Sequence, residues 1–128
     1  MSAKKEKNDI PSDKLDLYDE LIKTNPAIER KGIKLPYTSF NGHMFTFLSE
    51  AGTLAIRLPE NERESFLIQY NSSLMESQGT IMKEYVAVPE SLLKNTNELK
   101  KYLDMSYEYV KTLKPKNPKK SKKKISKS

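Results

Sequence analysis

The dipeptide Asn41-Gly42 constrains the fold of this chain more than any other feature of its sequence. It lies between two runs, 36–40 and 43–48, that are rich in β-branched and aromatic residues. Asn and Gly both accept the positive φ angles of a type I′ turn, whose twist matches that of the two strands it joins. The dipeptide therefore predicts a tight β-hairpin. The expected register pairs Phe40 with His43, Thr38 with Phe45, and Pro36 with Phe47.

A third strand is expected at Leu54 to Leu58, after a four-residue loop from Ser49 to Gly52. Side chains alternate between the two faces of a sheet, so one face of this meander is apolar and should pack against helices. The expected helix face comprises Phe40, Phe45, Phe47, Leu54, Ile56 and Leu58. The opposite face, called the second face below, is expected to comprise Tyr37, Ser39, Met44, Thr46, Ala55 and Arg57.

Helical periodicity predicts a helix on either side of the meander and another near the end of the chain. The first covers about Asp13 to Thr24 with Ser12 as its N-cap, and the second begins at Pro59. The last follows a capping pair of Asn95 and Glu98. The remaining elements are one further turn at 27–31, a short strand at 73–77, a strand at 82–88 and a single turn at 91–93. This order favours a two-layer α+β domain, with an antiparallel sheet of about five strands and helices on one face.

Charge divides the chain into three parts. The net charge of +6 is unevenly distributed. The folded part, 10–113, carries −3, whereas the segment from Lys114 to Ser128 carries eight lysines and no acid. We expect a flexible arm at 1–11, one domain at 12–113 and a disordered Lys-rich tail at 114–128. The absence of cysteine excludes disulfides and thiolate metal sites. Without an apolar leader or a run of membrane-spanning length, a cytoplasmic location is expected.

Four strings in order along the chain resemble the TfoX (Sxy) N-terminal domain family. They are Asn41-Gly42-His43-Met44-Phe45, Leu54-Ala55-Ile56-Arg57-Leu58-Pro59, a stretch from Gly79 through Met82 to Pro89, and Tyr107-Glu108-Tyr109-Val110. The resemblance spans about 15–113. It implies a secretion-chaperone-like sheet in the order 1-2-5-4-3, which would place the strand at Met82–Val88 beside the strand at His43–Leu48. It also implies a bacterial regulatory role, in transcription or competence, and no catalytic residues.

Two features depart from that family. The family's competence regulators carry a second, helical domain where this chain has the lysine tail. Family members also often have Phe-Gly before the first strand, and this chain has the run 36–40 there instead.

His43 is the only histidine, and the chain has no cysteine or second histidine to complete a metal or catalytic site with it. A strand residue beside a turn is therefore the favoured interpretation. The sequence therefore predicts no catalytic residue, no metal, no cofactor and no small-molecule substrate.

Two binding surfaces remain as candidates. The first is a partner-binding patch on the second face, which mixes aromatic residues with cations: Tyr37, Met44, Arg57, Lys83 and Tyr85. Such a surface suits a protein contact or homodimer, stacking of single-stranded bases, or plain solvation. The second candidate is a phosphate-binding tail, formed by Lys114, Lys116, Lys119, Lys120, Lys122, Lys123, Lys124 and Lys127.

The composition of the domain ranks these functions. A non-enzymatic binding module is the main hypothesis, and protein contact is favoured over nucleic acid because the part of the chain around the second face is net acidic. The alternative is a nucleic-acid-binding accessory protein that uses the tail and an open sheet face. Without aromatic or arginine side chains, the tail itself offers no means of reading bases.

Overall fold

A computed structural model describes residues 10–32, 35–77 and 79–114. Within these ranges the elements are α1 (Ser12–Lys23), β1 (Tyr37–Phe40), β2 (His43–Leu48), β3 (Leu54–Arg57), α2 (Glu60–Gln69), β4 (Leu74–Ser77), β5 (Thr80–Ala87), α3 (Glu90–Leu93) and α4 (Thr96–Lys111). The five strands form one antiparallel sheet with the helices on one face. The predicted two-layer α+β class is confirmed.

The predicted β1–β2 hairpin is present with its turn. Asn41 and Gly42 have φ angles of 53° and 84°, and Phe40 pairs with His43. These positive angles are those that a type I′ turn requires. The first pair of the expected register is therefore confirmed.

The rest of the expected β1–β2 register is wrong, because a β-bulge interrupts it. Ser39 pairs with Met44 but Thr38 pairs with Thr46, so Phe45 is an extra residue in β2. An extra residue places two consecutive side chains on the same face. Phe45 and Thr46 are both completely buried under the helices, whereas Phe47 lies on the second face, opposite to its expected position.

Buried hydroxyl groups explain how Thr46 is accommodated in the core. Its Oγ1 lies 2.7 Å from the Tyr18 hydroxyl of α1 and 2.7 Å from Thr38 Oγ1. All three residues have no exposed surface. A buried hydroxyl without a partner is costly, so this set of hydrogen bonds lets a polar residue occupy the helix face.

The loop between β2 and β3 is shorter than expected and contributes to the same change of face. Ser49 N–H donates to Thr53 O at 2.9 Å, which leaves three residues, 50–52, in the loop instead of four. Phe47 consequently pairs with Ala55, and Leu48 with Leu54. The three apolar residues of the third strand, Leu54, Ile56 and Leu58, face the helices as expected.

The strand order is β1-β2-β3-β5-β4, so the order implied by the family resemblance is wrong. β5 pairs with β3, through Ala55 with Ala87, Ile56 with Val86 and Arg57 with Tyr85, and not with β2. The short loop at 50–52 explains why β5 does not pair with β2. It pairs β3 with the edge of β2 that β1 leaves free, so that β5 pairs with the far edge of β3.

The helices differ from expectation mainly at their ends. α1 begins at Ser12 with Pro11 as its N-cap, so Ser12 is not the cap, and Pro59 likewise precedes α2 rather than starting it. Residues 27–31 do not form a helical turn; Ile28 N–H closes a turn on Asn25 O at 3.0 Å. Asn95 caps α4 as predicted, accepting from Glu98 N–H at 3.2 Å.

The core extends beyond the expected domain start and includes a polar residue of α4. Ile10, assigned to the arm from the sequence, is only 6% exposed and belongs to the main core; residues 1–9 lie outside the described ranges. Ser106 lies on the buried stripe of α4. Its hydroxyl donates to the Arg57 carbonyl oxygen at 2.5 Å, and the Phe45 carbonyl oxygen lies 3.3 Å from it. The small side chain lets α4 approach β2 and β3 closely while its hydroxyl gives a strand carbonyl group a partner.

Candidate functional site

A separate apolar cluster covers the second face of the sheet. Phe47, Ala55 and Met75 are its buried members, each at most 5% exposed. Half-buried side chains surround them: Tyr37, Met44, Met82, Tyr85 and Ala87. Every member belongs to a strand, so this cluster contains no residue of the helix layer. It is called the second-face cluster below.

Tyr85 holds the cluster together across three strands. Its side chain starts on β5 and its hydroxyl donates to the Met44 carbonyl of β2 at 2.6 Å, on the far side of β3. The ring lies 5.8 Å from the ring of Phe47, a contact distance for aromatic pairs. Burial raises the pKa of the Tyr85 phenol, an effect that the nearby Arg57 charge opposes. Tyr85 is therefore a neutral hydrogen-bond donor with one face of its ring on the cluster.

The structure brings three of the five predicted patch residues into this cluster: Tyr37, Met44 and Tyr85. It adds Phe47, Met75 and Met82, which were not predicted to belong to the patch. Met75 and Met82 pair across the β4–β5 turn, as Ser77 and Thr80 do. Counting outward from a two-residue turn at Gln78-Gly79 would have predicted that pairing from the sequence.

Arg57 is turned away from the second-face cluster. Ile56 faces the helices, so alternation along β3 places the Cβ of Arg57 on the second face. The Arg57 Nε nevertheless donates to Glu84 Oε1 at 2.6 Å. Its Cζ lies 5.7 Å from the centre of the ring of Tyr109, which packs on the main core. The guanidinium group is therefore engaged at the end of β3 and is not a free cation on the face.

The remaining cations at the sheet are lysines. Lys83 is exposed on β5, and Lys31 donates to Ser39 Oγ at 3.3 Å, beside the cluster residue Met44 with which Ser39 pairs. The only carboxylates in the described strands are Glu76 and Glu84. Glu76 directly follows the cluster member Met75, so the pleat places it on the opposite face, and the Glu84 carboxylate is held in the ion pair with Arg57. The members of the second-face cluster are apolar or aromatic, and none of them is an acid.

The predicted phosphate-binding tail lies almost entirely outside the described ranges, which include only its first lysine. The Lys114 carbonyl is 2.7 Å from His43 Nε2, so the end of the described chain is anchored at the β1–β2 turn. His43 therefore has a structural contact, in agreement with its interpretation as a strand residue beside a turn. Lys116, Lys119, Lys120, Lys122, Lys123, Lys124 and Lys127 are not described.

Neither metal chemistry nor membrane insertion is indicated within the described residues. No group of three or more His, Asp or Glu side chains there is arranged to hold a metal ion. None of the helices in those ranges combines the length and apolar character needed to cross a bilayer. Comparisons with protein-family models, with curated proteins and with solved structures found no match for this chain.

Proposed function

We propose that this protein is a non-enzymatic binding module whose second face contacts a protein partner. The role is regulatory, of the kind that the resemblance to the TfoX N-terminal domain implies in transcription or competence. Its contact residues are Tyr37, Met44 and Tyr85 from the predicted patch, together with Met82 of the same cluster. Of the other two predicted residues, Arg57 is turned away from this surface by its ion pair with Glu84, and Lys83 is exposed on β5 next to Met82.

One observation supports this proposal above the others: an apolar aromatic and methionine cluster lies on the sheet face opposite the helices. Aromatic residues and methionine are enriched at the centres of protein interfaces, and charged residues are depleted there. Methionine also adapts its shape to an incoming surface because its side chain is unbranched and polarizable. A contact through this face explains why apolar side chains are retained on a strand surface that needs no such residues for the main core.

The test compares two substitutions of the same type on opposite layers of the domain. Met44→Lys places a charge on the second face, and Ile68→Lys places one on α2, where Ile68 is 82% exposed. Native protein is cross-linked in lysate of the source cells, and the captured proteins are identified for wild type and both variants. We expect Met44→Lys to lose partners that Ile68→Lys retains, with similar unfolding midpoints for both variants.

The same measurement distinguishes a homodimer from a different partner. Mass in solution is measured by light scattering across a concentration series, with and without cross-linking. A dimer that Met44→Lys abolishes identifies a second copy as the partner. Equal capture by wild type and Met44→Lys would contradict the proposal, because the second face would then not be the contact surface.

A second candidate function is binding of nucleic acid, favoured by the eight lysines and absent acids in 114–128. Binding of this type releases counterions, so affinity for single-stranded DNA should fall steeply with added salt. Removing 115–128 should abolish it while leaving thermal stability nearly unchanged. DNA binding that survives both the truncation and moderate salt, but is lost in Met44→Lys, would move the site to the second face.

A further inference from the structure

The two edges of the sheet differ in how their backbone groups are used. At the β1 edge, Lys31 N–H donates to Tyr37 O at 2.7 Å and Tyr37 N–H donates to Lys31 O at 3.0 Å. This bridge occupies the outward groups at the start of β1. An added strand therefore meets a chain that is already hydrogen-bonded there.

The β4 edge has outward groups at two positions. Ser77 and Thr80 flank a two-residue turn and form the closing hydrogen-bonded pair of the hairpin, so the next pair, Glu76 with Ile81, is not hydrogen-bonded. At the other end of β4, Ala87 N–H donates to Ser73 O, so the pair of Leu74 with Val86 is also not hydrogen-bonded. The N–H and C=O groups of Leu74 and Glu76 consequently point away from β5. Within 10–32, 35–77 and 79–114, no hydrogen bond from outside the strand ladders reaches those groups.

We propose that the β4 edge is the docking edge for an extended segment of a protein partner, added as a sixth antiparallel strand. This inference rests on the proposed function and specifies how the partner binds. Addition of a strand satisfies the outward N–H and C=O groups of Leu74 and Glu76, and side-chain contacts then select the sequence.

The side chains of β4 define the chemistry of that segment. The residue opposite Glu76 lies beside an exposed carboxylate, so a basic side chain is favoured there and an acidic one is repelled. The next residue lies opposite Met75 on the second face and extends the second-face cluster beyond the edge of the sheet. The residue after that lies opposite Leu74, which is half-buried. From its N-terminus to its C-terminus, the partner segment should therefore contain a basic residue followed by two apolar residues.

A second copy of this chain is a less suitable occupant. The symmetric pairing centred on Glu76 would place two carboxylates directly opposite each other, which is destabilising, and the pairing centred on Met75 would place each Glu76 opposite the apolar Leu74, so neither pairing gives the carboxylate a cationic partner. The exposed charge on a strand of only four residues is also the kind of feature that prevents sheets from joining edge to edge. We therefore expect β4 to leave the protein monomeric in the absence of a partner segment.

The test uses a synthetic probe, acetyl-Ser-Thr-Lys-Val-Val-Thr-Ser-amide carrying a fluorophore, and its counterpart with Glu in place of Lys. We expect wild type to bind the Lys peptide several-fold more tightly than the Glu peptide, by fluorescence anisotropy at low salt. Glu76→Lys should reverse that preference, and Glu60→Lys, at an exposed acid on α2, should leave it unchanged. Two equal affinities in wild type, or a preference unaffected by Glu76→Lys, would overturn the proposal.

Backbone methylation separates strand addition from simple charge attraction. The amide of the peptide Lys faces Glu76 and is needed for a hydrogen bond, whereas the amide of the first Val points away from β4. N-methylation at Lys should reduce affinity by about 10-fold, the value of one lost hydrogen bond with its steric clash, and N-methylation at the first Val should have little effect. Equal affinities of the two methylated peptides would show that the peptide does not bind as a strand.

Amide exchange locates the binding edge independently of affinity. The Glu76 amide should exchange rapidly in the free protein and slowly with saturating Lys peptide, while the Tyr37 amide, already bonded to Lys31, should not change. Protection at β1 instead, or a dimer without peptide in which the Glu76 amide is already protected, would refute the β4 assignment. If the Lys peptide does not bind, but Met44→Lys still loses its captured partners, this inference is wrong and the proposed function is unaffected.

Discussion

The three buried hydroxyls of Tyr18, Thr38 and Thr46 offer the sharpest test of the bulged register. Thr46 Oγ1 lies 2.7 Å from each of the other two oxygens, so it is the central member of the set. Removing an end member breaks one hydrogen bond, whereas removing the centre withdraws the common partner of both other hydroxyls. We therefore expect Thr46→Val to be the most damaging of the three single replacements.

The magnitudes follow from the cost of unpaired buried groups. Tyr18→Phe or Thr38→Val should each lower the free energy of unfolding by about 0.5–1.5 kcal/mol, the net value of one hydrogen bond. Thr46→Val leaves two buried hydroxyls without their partner, at about 1–3 kcal/mol each, so a loss of about 2–6 kcal/mol is expected. The triple replacement leaves none unpaired and should cost less than the sum of the single changes.

The assay is equilibrium denaturant unfolding of the four variants and wild type, with the slope checked for constancy. A threonine on a strand surface would give a different ranking, because Thr46→Val would then change stability by only a few tenths of a kcal/mol. Three equal single losses that add up in the triple variant would refute the central position of Thr46. They would also refute the bulge that puts Thr46 under the helices.

Three further predictions concern the turn, the helix contact and alkaline pH. Gly42→Val should lower the unfolding free energy by about 1–3 kcal/mol because a β-branched residue resists a φ of 84°, and an unchanged denaturant midpoint would contradict the turn. Ser106→Ala should lower the unfolding free energy by about 1–3 kcal/mol because the Arg57 carbonyl loses its donor, and Ser106→Val should lower it more through overpacking; equal melting temperatures for the two variants would count against the close approach of α4. Burial raises the pKa of Tyr18 above the value of 10.0 that applies to the unfolded chain, so its stabilising contribution is complete below pH 10 and is lost as pH rises beyond it. Unfolding midpoints measured between pH 9 and 11 should thus fall less steeply in Tyr18→Phe, and parallel curves for the two proteins would show that Tyr18 is not buried.

Local signals in the sequence predicted the elements well. The hairpin at Asn41-Gly42, the cap at Asn95 and the single turn ending at Leu93 all depend on residues within a few positions of each other. The apolar residues of the third strand, Leu54, Ile56 and Leu58, also fell on their expected face, because a uniform period of two decides them. The two-layer class followed from the order of these elements.

Features that depend on distant partners were not predicted. The bulge at Phe45 is marked by no glycine or proline, and what stabilises it is the Tyr18 hydroxyl, 28 positions away from Thr46. Because the bulge reverses the alternation beyond Phe45, the second face gains Phe47 and loses Thr46 relative to the expectation. The turned position of Arg57 likewise depends on Glu84 and Tyr109, which no local pattern connects to it.

The strand order carries a consequence for how the protein folds and opens. Three of the four strand pairings join neighbours in sequence, and the β3–β5 pairing alone connects the meander β1–β2–β3 to the hairpin β4–β5. That pairing comprises three residue pairs. Neighbouring strands close short loops at small entropic cost, so the meander and the hairpin should each form early and dock late. Sub-global opening should then separate them at β3–β5, with amide protection in β4 lost together with that of β5 before protection at Thr46 and Leu48.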